Sequence, residues 1–60
     1  MINVNSFRDR NANLLELNDE VLFDNQTWEI FAVDLVRETI GIINKDGDTY
    51  YVSRKEVELV

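Results

Sequence analysis

The apolar residues of the chain fall into short runs that are rich in β-branched and aromatic side chains and are separated by polar turn residues. Runs of this length and composition, with frequent turn signals, are typical of β-strands rather than of amphipathic helices. The pattern therefore predicts five short antiparallel strands, at residues 21–23, 28–36, 39–43, 48–52 and 57–60. A polar spacer at residues 53–56 has the length of one helical turn.

Two glycines mark particular points in this strand pattern. The Asp46-Gly47 pair stands between two alternating runs, which is a strong signal for a hairpin turn. Gly41 lies inside the third run, where a glycine indicates a bulge, a sharp bend at a barrel corner or the close approach of another backbone. We favour a bend that lets the third strand serve two sheets, so that five short strands curl into a small barrel.

The first 13 residues differ in composition from the rest of the chain. They carry four of the seven asparagines, and asparagine disfavours regular structure because its side chain competes for nearby backbone groups. Residues 1–13 are therefore predicted to be a flexible or irregular N-terminal arm, and residues 14–60 to be a small β-barrel domain. Within the arm, Ile2 and Val4 alternate like a short edge strand, and Phe7 is a candidate for docking on the core.

The absence of cysteine and histidine from this 60-residue chain excludes most catalytic chemistry. Without cysteine there is no disulfide, thiolate nucleophile or thiolate metal ligand, and without histidine the usual neutral-pH acid–base group is missing. Ser53 lies near Lys55, but an exposed turn lysine is not activated as a base. A domain of this size also has little room for a cleft. We expect no enzymatic activity and no cofactor.

The segment Asn44–Asp48 has the spacing of acidic and amide side chains with which calcium loops begin. An EF-hand loop needs glycine at its sixth position and glutamate at its twelfth, and these positions are Thr49 and Lys55 here. A hairpin turn is the better interpretation, and we expect no metal site.

The net charge of −6 is unevenly distributed along the chain. Residues 1–13 contain two basic and one acidic side chain, for +1, whereas residues 14–60 contain four basic and eleven acidic side chains, for −7. Duplex nucleic acid is bound chiefly through clustered Lys and Arg, so this charge argues against direct nucleic-acid binding by the domain. No apolar run is long enough to span a membrane and no secretory leader is evident, so we expect a cytoplasmic protein.

Over residues 17–60 the order of elements resembles the Src-homology-3-like small β-barrels, a superfamily that includes Tudor and KOW modules. The matching segments are Leu17–Phe23, Trp28–Ile30 with Val33, Ile40 and Ile42, Asp46-Gly47, Tyr50–Val52, the spacer 53–56 and Val57–Leu59. The resemblance implies an all-β, five-stranded antiparallel barrel with a short helical turn before the last strand. The aromatic run of the peptide-binding members and the basic first loop of KOW modules are absent, so neither set of binding residues carries over.

A candidate binding surface follows from the alternation of side chains along the fourth strand. Neighbouring strand residues point to opposite faces, so an inward Val52 places Tyr50 inward and Tyr51 outward. Tyr51, together with Phe31 or Leu35, would then form an apolar patch for a protein partner. The alternative is that an outward Tyr51 merely packs on a neighbouring strand.

Our leading hypothesis is a small non-catalytic protein-binding module. Its format resembles that of phage or prophage accessory proteins that bind and inhibit a host protein through an acidic or apolar barrel face. A sharper version is mimicry of DNA by acidic side chains that share one face. The candidates for that face are Asp24, Glu29, Asp34, Glu38, Asp46 and Asp48. The simpler interpretation is that the acidity serves solubility.

Two alternatives belong to other classes of function. The first is weak nucleic-acid association through Arg8 and Arg10 of the arm, which supply only a small number of phosphate contacts. The second is a structural role in which open strand edges let copies of the chain assemble into rings or filaments.

Overall fold

A computed structural model describes residues 8–60, so Ile2, Val4 and Phe7 of the predicted arm lie outside the described residues. Five antiparallel strands form one sheet in the order β4-β3-β2-β1-β5. They are β1 (Glu20–Phe23), β2 (Gln26–Asp34), β3 (Thr39–Ile43), β4 (Thr49–Ser53) and β5 (Glu58–Leu59), and a 3₁₀ turn, Arg54–Glu56, precedes β5. The predicted all-β class, the five antiparallel strands and the helical turn before the last strand are confirmed.

Short polar side chains set the turns between the strands. Asp24 and Asn25 form a two-residue β1–β2 connection, and both have positive φ, 53° and 62°, as the favoured hairpin turns require. In the β3–β4 turn the Asn44 Oδ1 accepts hydrogen bonds from the backbone N–H groups of Asp46 and Asp48. Gly47 there has φ of 86°, which glycine adopts without strain. The predicted Asp46-Gly47 hairpin turn is confirmed.

The inner face of the sheet carries the hydrophobic core. Its buried side chains come from β1, β2 and β3 and from the segments that precede β1 and β5. They are Leu15, Val21, Trp28, Ile30, Ile40, Ile42 and Val57. The Trp28 indole N–H donates to the carbonyl oxygen of Phe23 at 3.0 Å, so the largest core side chain also has its polar atom satisfied.

A β-bulge in β2 determines which residues of its second half face the core. Ile30 pairs with Ile42, but the next pair is Ala32 with Gly41, which leaves Phe31 as the extra residue. This shift places Val33, the partner of buried Ile40, against the core instead of Ala32. Without the bulge the alternation would turn Val33 toward solvent.

The described part of the predicted arm, residues 8–13, is an irregular loop that is hydrogen-bonded to β5. The buried Asp9 carboxylate accepts the backbone N–H of Leu59 at 2.7 Å, and the backbone N–H of Arg10 donates to the carbonyl of Val57. Arg8 and Leu14 form an isolated antiparallel bridge where the loop closes. No helix among residues 8–60 is long and apolar enough to cross a membrane.

Candidate protein-binding face

The outer face of the sheet, opposite the core, carries an exposed aromatic pair. Phe31 and Tyr51 lie 5.7 Å apart between ring centroids with an interplanar angle of 77°, an edge-to-face contact. Their exposed fractions are 41% and 66%. Phe31 is the extra residue of the β2 bulge, and Tyr51 points outward because of the alternation along β4. Both side chains are therefore positioned by strands rather than by loops. The sequence-based prediction that Tyr51 points outward beside Phe31 agrees with this geometry.

Gly41 lies beneath these two rings and is buried by them. A Cβ at this position would lie 2.8 Å from Phe31 Cζ and 3.1 Å from Tyr51 Cε2. The absence of a side chain therefore lets both rings approach the backbone of β3 closely. The favoured interpretation, a bend that lets β3 serve two sheets, is wrong, because β3 lies within a single sheet. Gly41 instead lies opposite the bulge of β2, and the groups that approach it are two side-chain rings rather than another backbone.

A shallow groove of about 730 Å³ lies toward the end of the sheet that carries the β1–β2 and β3–β4 turns, and neither Phe31 nor Tyr51 lines it. Its walls include the apolar Leu22 and Ile43 and four charged residues, Glu20, Glu29, Lys45 and Asp46. The two glutamates are direct cross-strand partners in the β1–β2 pairing, and both are exposed. Like charges directly opposite each other destabilise a sheet, so this pair is unfavourable for folding and places two carboxylates next to the apolar side chains of the groove.

Two other predicted aromatic or apolar positions lie elsewhere. Leu35 packs against the core cluster, so it does not join Phe31 and Tyr51 on the outer face. Tyr50 of β4 pairs with buried Ile42 of β3, and its ring centroid lies 5.5 Å from that of Trp28. Tyr50 therefore lies on the inner face, as predicted. It nevertheless remains 55% exposed, because β4 is the edge strand and no neighbouring strand covers that side among residues 8–60.

The six acidic residues proposed for DNA mimicry do not share one face. The β1–β2 and β3–β4 turns, at one end of the sheet, contain Asp24, Asp46 and Asp48. The β2–β3 turn, at the other end, is flanked by Asp34 and Glu38, and the outer face carries Glu29. The separation follows from the up-and-down connection of β1 to β4, which puts successive turns at opposite ends.

The acidic residues at the second end are also engaged within the molecule. Asp34 Oδ1 accepts the backbone N–H groups of Val36 and Arg37, both at 3.1 Å, and so fixes the β2–β3 turn. Glu38 Oε1 accepts from Arg54 Nε at 2.8 Å. These two carboxylates therefore stabilise the turn, and a single acidic surface of all six residues is not formed.

The arginines proposed for nucleic-acid contact make intramolecular bonds as well. Arg10 forms an ion pair with Glu58, its Nε donating to Glu58 Oε1 at 2.9 Å. Arg8 Nη1 donates to the carbonyl of Ala12 at 3.0 Å, while its own carbonyl accepts from Arg54. The charge of Arg10 is already partly neutralised by Glu58, which weakens the nucleic-acid alternative.

Sequence reasoning missed Asp9, the buried acidic side chain of the described region. Burial raises the pKa of Asp9, but hydrogen bonds from the backbone N–H groups of Leu59, Asn13 and Asn11 outweigh it and leave the pKa below its usual value. The signal was present as an aspartate followed two and four residues later by asparagines, a spacing suited to a side-chain-capped turn.

Comparison of the chain with protein-family models, with curated proteins and with solved structures found no match in any of the three. The function of the protein is therefore inferred from the geometry of its outer face. Among residues 8–60, no group of three or more acidic side chains is arranged to hold a metal ion.

Proposed function

We propose that the protein is a small non-catalytic protein-binding module that uses the outer face of its sheet. The observation that carries this proposal is the Phe31–Tyr51 pair, two exposed rings in contact over a glycine on a rigid strand surface. Aromatic side chains with few rotatable bonds are favoured anchors in protein interfaces. Neither ring belongs to the core cluster, so their position is not accounted for by packing of the core.

The surroundings of the aromatic pair specify the chemistry of the partner. Glu29 lies two residues before Phe31 on β2 and is the cross-strand partner of Glu20, and a cation between the two carboxylates would relieve their repulsion. The complementary ligand is a segment of another protein that presents an apolar or aromatic side chain beside lysine or arginine. Salt would weaken the charged contacts of such an interface by screening, and it would affect the aromatic contacts less.

The resemblance to Src-homology-3-like barrels supports a binding role, because the peptide-binding members of that superfamily bind their ligands on an aromatic shelf, although their aromatic run is absent from this chain. The observed strand order with a 3₁₀ turn before β5 is compatible with that resemblance. Inhibition of a host protein by a phage-type accessory protein and a cytoplasmic location stay predictions.

The experiment compares the two neighbouring tyrosines as a matched pair. The tagged full-length chain and its Phe31→Ala, Tyr51→Ala and Tyr50→Ala variants are used to capture proteins from a bacterial lysate, and the captured partner is then titrated as a purified protein. We expect Phe31→Ala and Tyr51→Ala to weaken binding by about tenfold or more, because they remove interface anchors. Tyr50→Ala lies on the opposite face and should bind within about threefold of the wild type.

Charge is tested separately with Glu20→Gln and Glu29→Gln, which keep side-chain size. Each should weaken binding at low salt by a few-fold and lose its effect in high salt. Circular dichroism confirms that every variant is folded. Equal binding by all folded aromatic variants, or loss of binding with Tyr50→Ala alone, would contradict the proposed face.

A further inference from the structure

The edge of the sheet formed by β4 presents backbone groups whose direction can be derived from the flanking hydrogen bonds. Asn44 N–H donates to the carbonyl of Asp48 at 3.0 Å, and Arg54 N–H donates to the carbonyl of Glu38 at 3.1 Å. Hydrogen-bonded pairs recur at every second residue of an antiparallel ladder, so residues 50 and 52 direct their backbone groups at β3. The N–H and C=O groups of Thr49, Tyr51 and Ser53 consequently point away from the sheet.

The sequence and pairing of β4 lack the features by which an edge strand protects itself. Its sequence, Thr-Tyr-Tyr-Val-Ser, has no charge and no proline, and its pairing with β3 runs through all five residues without a bulge. Among residues 8–60, no hydrogen bond from another segment reaches the outward backbone groups of Thr49, Tyr51 or Ser53. Within the part of the chain that the structure describes, this edge is uncovered and has the backbone groups needed to add a further strand.

The opposite edge of the sheet is closed, which restricts how copies of the chain can combine. On β5 the outward N–H of Leu59 donates to the Asp9 carboxylate and the outward carbonyl of Val57 accepts from Arg10 N–H. Joining β4 of one copy to β5 of the next would form rings or filaments, but those β5 groups are occupied. Because only the β4 edge has outward backbone groups without partners among residues 8–60, those groups can form hydrogen bonds with the β4 edge of a second copy.

Charge at the two ends of β4 differs slightly and favours one direction of pairing. Lys45, Asp46 and Asp48 before the strand sum to −1, and Arg54, Lys55 and Glu56 after it sum to +1, with Arg54 already ion-paired to Glu38. Two β4 strands in antiparallel orientation place the acidic end of each beside the basic end of the other, whereas parallel pairing would bring like charges together. The uncharged strand itself adds no repulsion between chains that each carry a net charge of −6.

We propose that two copies of the protein form a two-fold symmetric dimer by antiparallel pairing of their β4 strands, with Tyr51 opposite Tyr51 of the second copy. This register places Thr49 opposite Ser53 and lets all the outward groups of the three residues form hydrogen bonds, about six between the two chains. It also brings the two Phe31–Tyr51 pairs together into one aromatic strip across the outer faces. The dimer does not require the outer-face partner and goes beyond the proposed function.

A charge-swap experiment tests both the dimer and its register. In the two-fold register, Tyr51→Glu places two glutamates directly opposite each other and Tyr51→Lys places two lysines there. Each variant alone should be monomeric, and an equimolar mixture of the two should restore the dimer through a Glu–Lys pair. The measurement is molar mass by light scattering and sedimentation of the full chain, over concentrations from about 1 μM to 1 mM, since a single strand pair gives a small, weak interface.

Thr49→Glu is the matched control because it adds the same charge to the same strand but lies opposite Ser53 in the proposed register. It should dimerise within about tenfold of the wild type. Phe31→Ala should retain the dimer while losing the outer-face partner, so failure of one proposal is distinguishable from failure of the other. A monomeric wild type at about 1 mM, growth beyond the dimer mass, or no recovery on mixing the Glu and Lys variants would overturn the proposal.

Discussion

The β5 edge of the sheet is closed by hydrogen bonds from an irregular loop, whereas the β4 edge is bare among the residues that the structure describes. β5 contains two paired residues and β4 contains five. The shorter strand has few ladder bonds of its own, and the loop at residues 8–13 supplies others through the Asp9 carboxylate and Arg10 N–H. The longer strand is held by a full register with β3 and needs no such support.

This difference shows that edge closure in a small domain can depend on one side chain. Asp9 accepts hydrogen bonds from Leu59, Asn11 and Asn13, so it joins the loop to itself and to the last strand. Because the protein has no disulfide, cross-links of this kind must come from hydrogen bonds and packing. On the β4 edge, in contrast, no hydrogen bond from another segment of residues 8–60 reaches the outward backbone groups.

Asp9→Ala should destabilise the protein more than any substitution on the exposed surface of the sheet. It leaves the N–H groups of Leu59, Asn11 and Asn13 without their acceptor, and we expect a loss of about 2–4 kcal/mol in the free energy of unfolding. That is a large share of the total for a domain of this size. Chemical denaturation followed by Trp28 fluorescence provides the measurement.

Asp48→Ala is the control for Asp9→Ala, since it removes an exposed aspartate whose carboxylate accepts one side-chain hydrogen bond, from Asn44 Nδ2 at 3.3 Å. It should cost less than about 1 kcal/mol. Equal stability of the two alanine variants would contradict the role of the loop at residues 8–13 in stabilising β5.

Acidification should weaken the β5 edge in a defined pH range. The pKa of Asp9 in the folded protein lies below its ordinary value of 3.8, so the ionised form is favoured by folding. Its contribution to stability is complete above the unfolded pKa and is lost as the pH falls through the lower folded pKa. The expected loss begins below about pH 4 and is smaller than that caused by Asp9→Ala.

The difference in unfolding free energy between the wild type and Asp9→Asn isolates this effect from the other carboxylates. It should be constant between about pH 5 and pH 8 and shrink below about pH 4, because the two side chains then become alike in charge. A difference that stays constant down to about pH 2.5 would contradict the role assigned to the ionised carboxylate.

Much of the fold could be predicted from sequence because its strands combine alternation with unambiguous turn residues. Asp24-Asn25 and Asp46-Gly47 each favour the backbone conformations that their hairpins require, and the predicted strands lie within a few residues of the observed ones. The outward position of Tyr51 followed from the same alternation. Its contact with Phe31, however, also depends on a bulge that local propensity does not encode.

The roles of Asp9 and Leu35 could not be predicted because they are set by contacts between distant parts of the chain. Asp9 meets Leu59 across 50 residues, so its burial is invisible to a local pattern. The sequence offers Leu35 as an alternative to Phe31 in the patch with Tyr51, but β2 ends at Asp34 and Leu35 packs against the core. The division of the acidic residues between two ends likewise becomes evident once the order of turns in the sheet is known.

The smallest expected change in unfolding free energy is that caused by a charged side chain added to the β4 edge. Thr49→Lys adds a side chain that edge strands commonly carry, and the unfolding free energy of the monomer should change by no more than about 0.5 kcal/mol. Thr39→Lys makes the same change in β3, where Thr39 is half-buried between Asp34 and Ser53, and should cost about 1 kcal/mol or more. Denaturation at about 1 μM protein, where a weak interface is dissociated, compares the two variants. A cost for Thr49→Lys that equals that of Thr39→Lys would mean that β4 is covered in the folded monomer, and the contrast between the two edges would be lost.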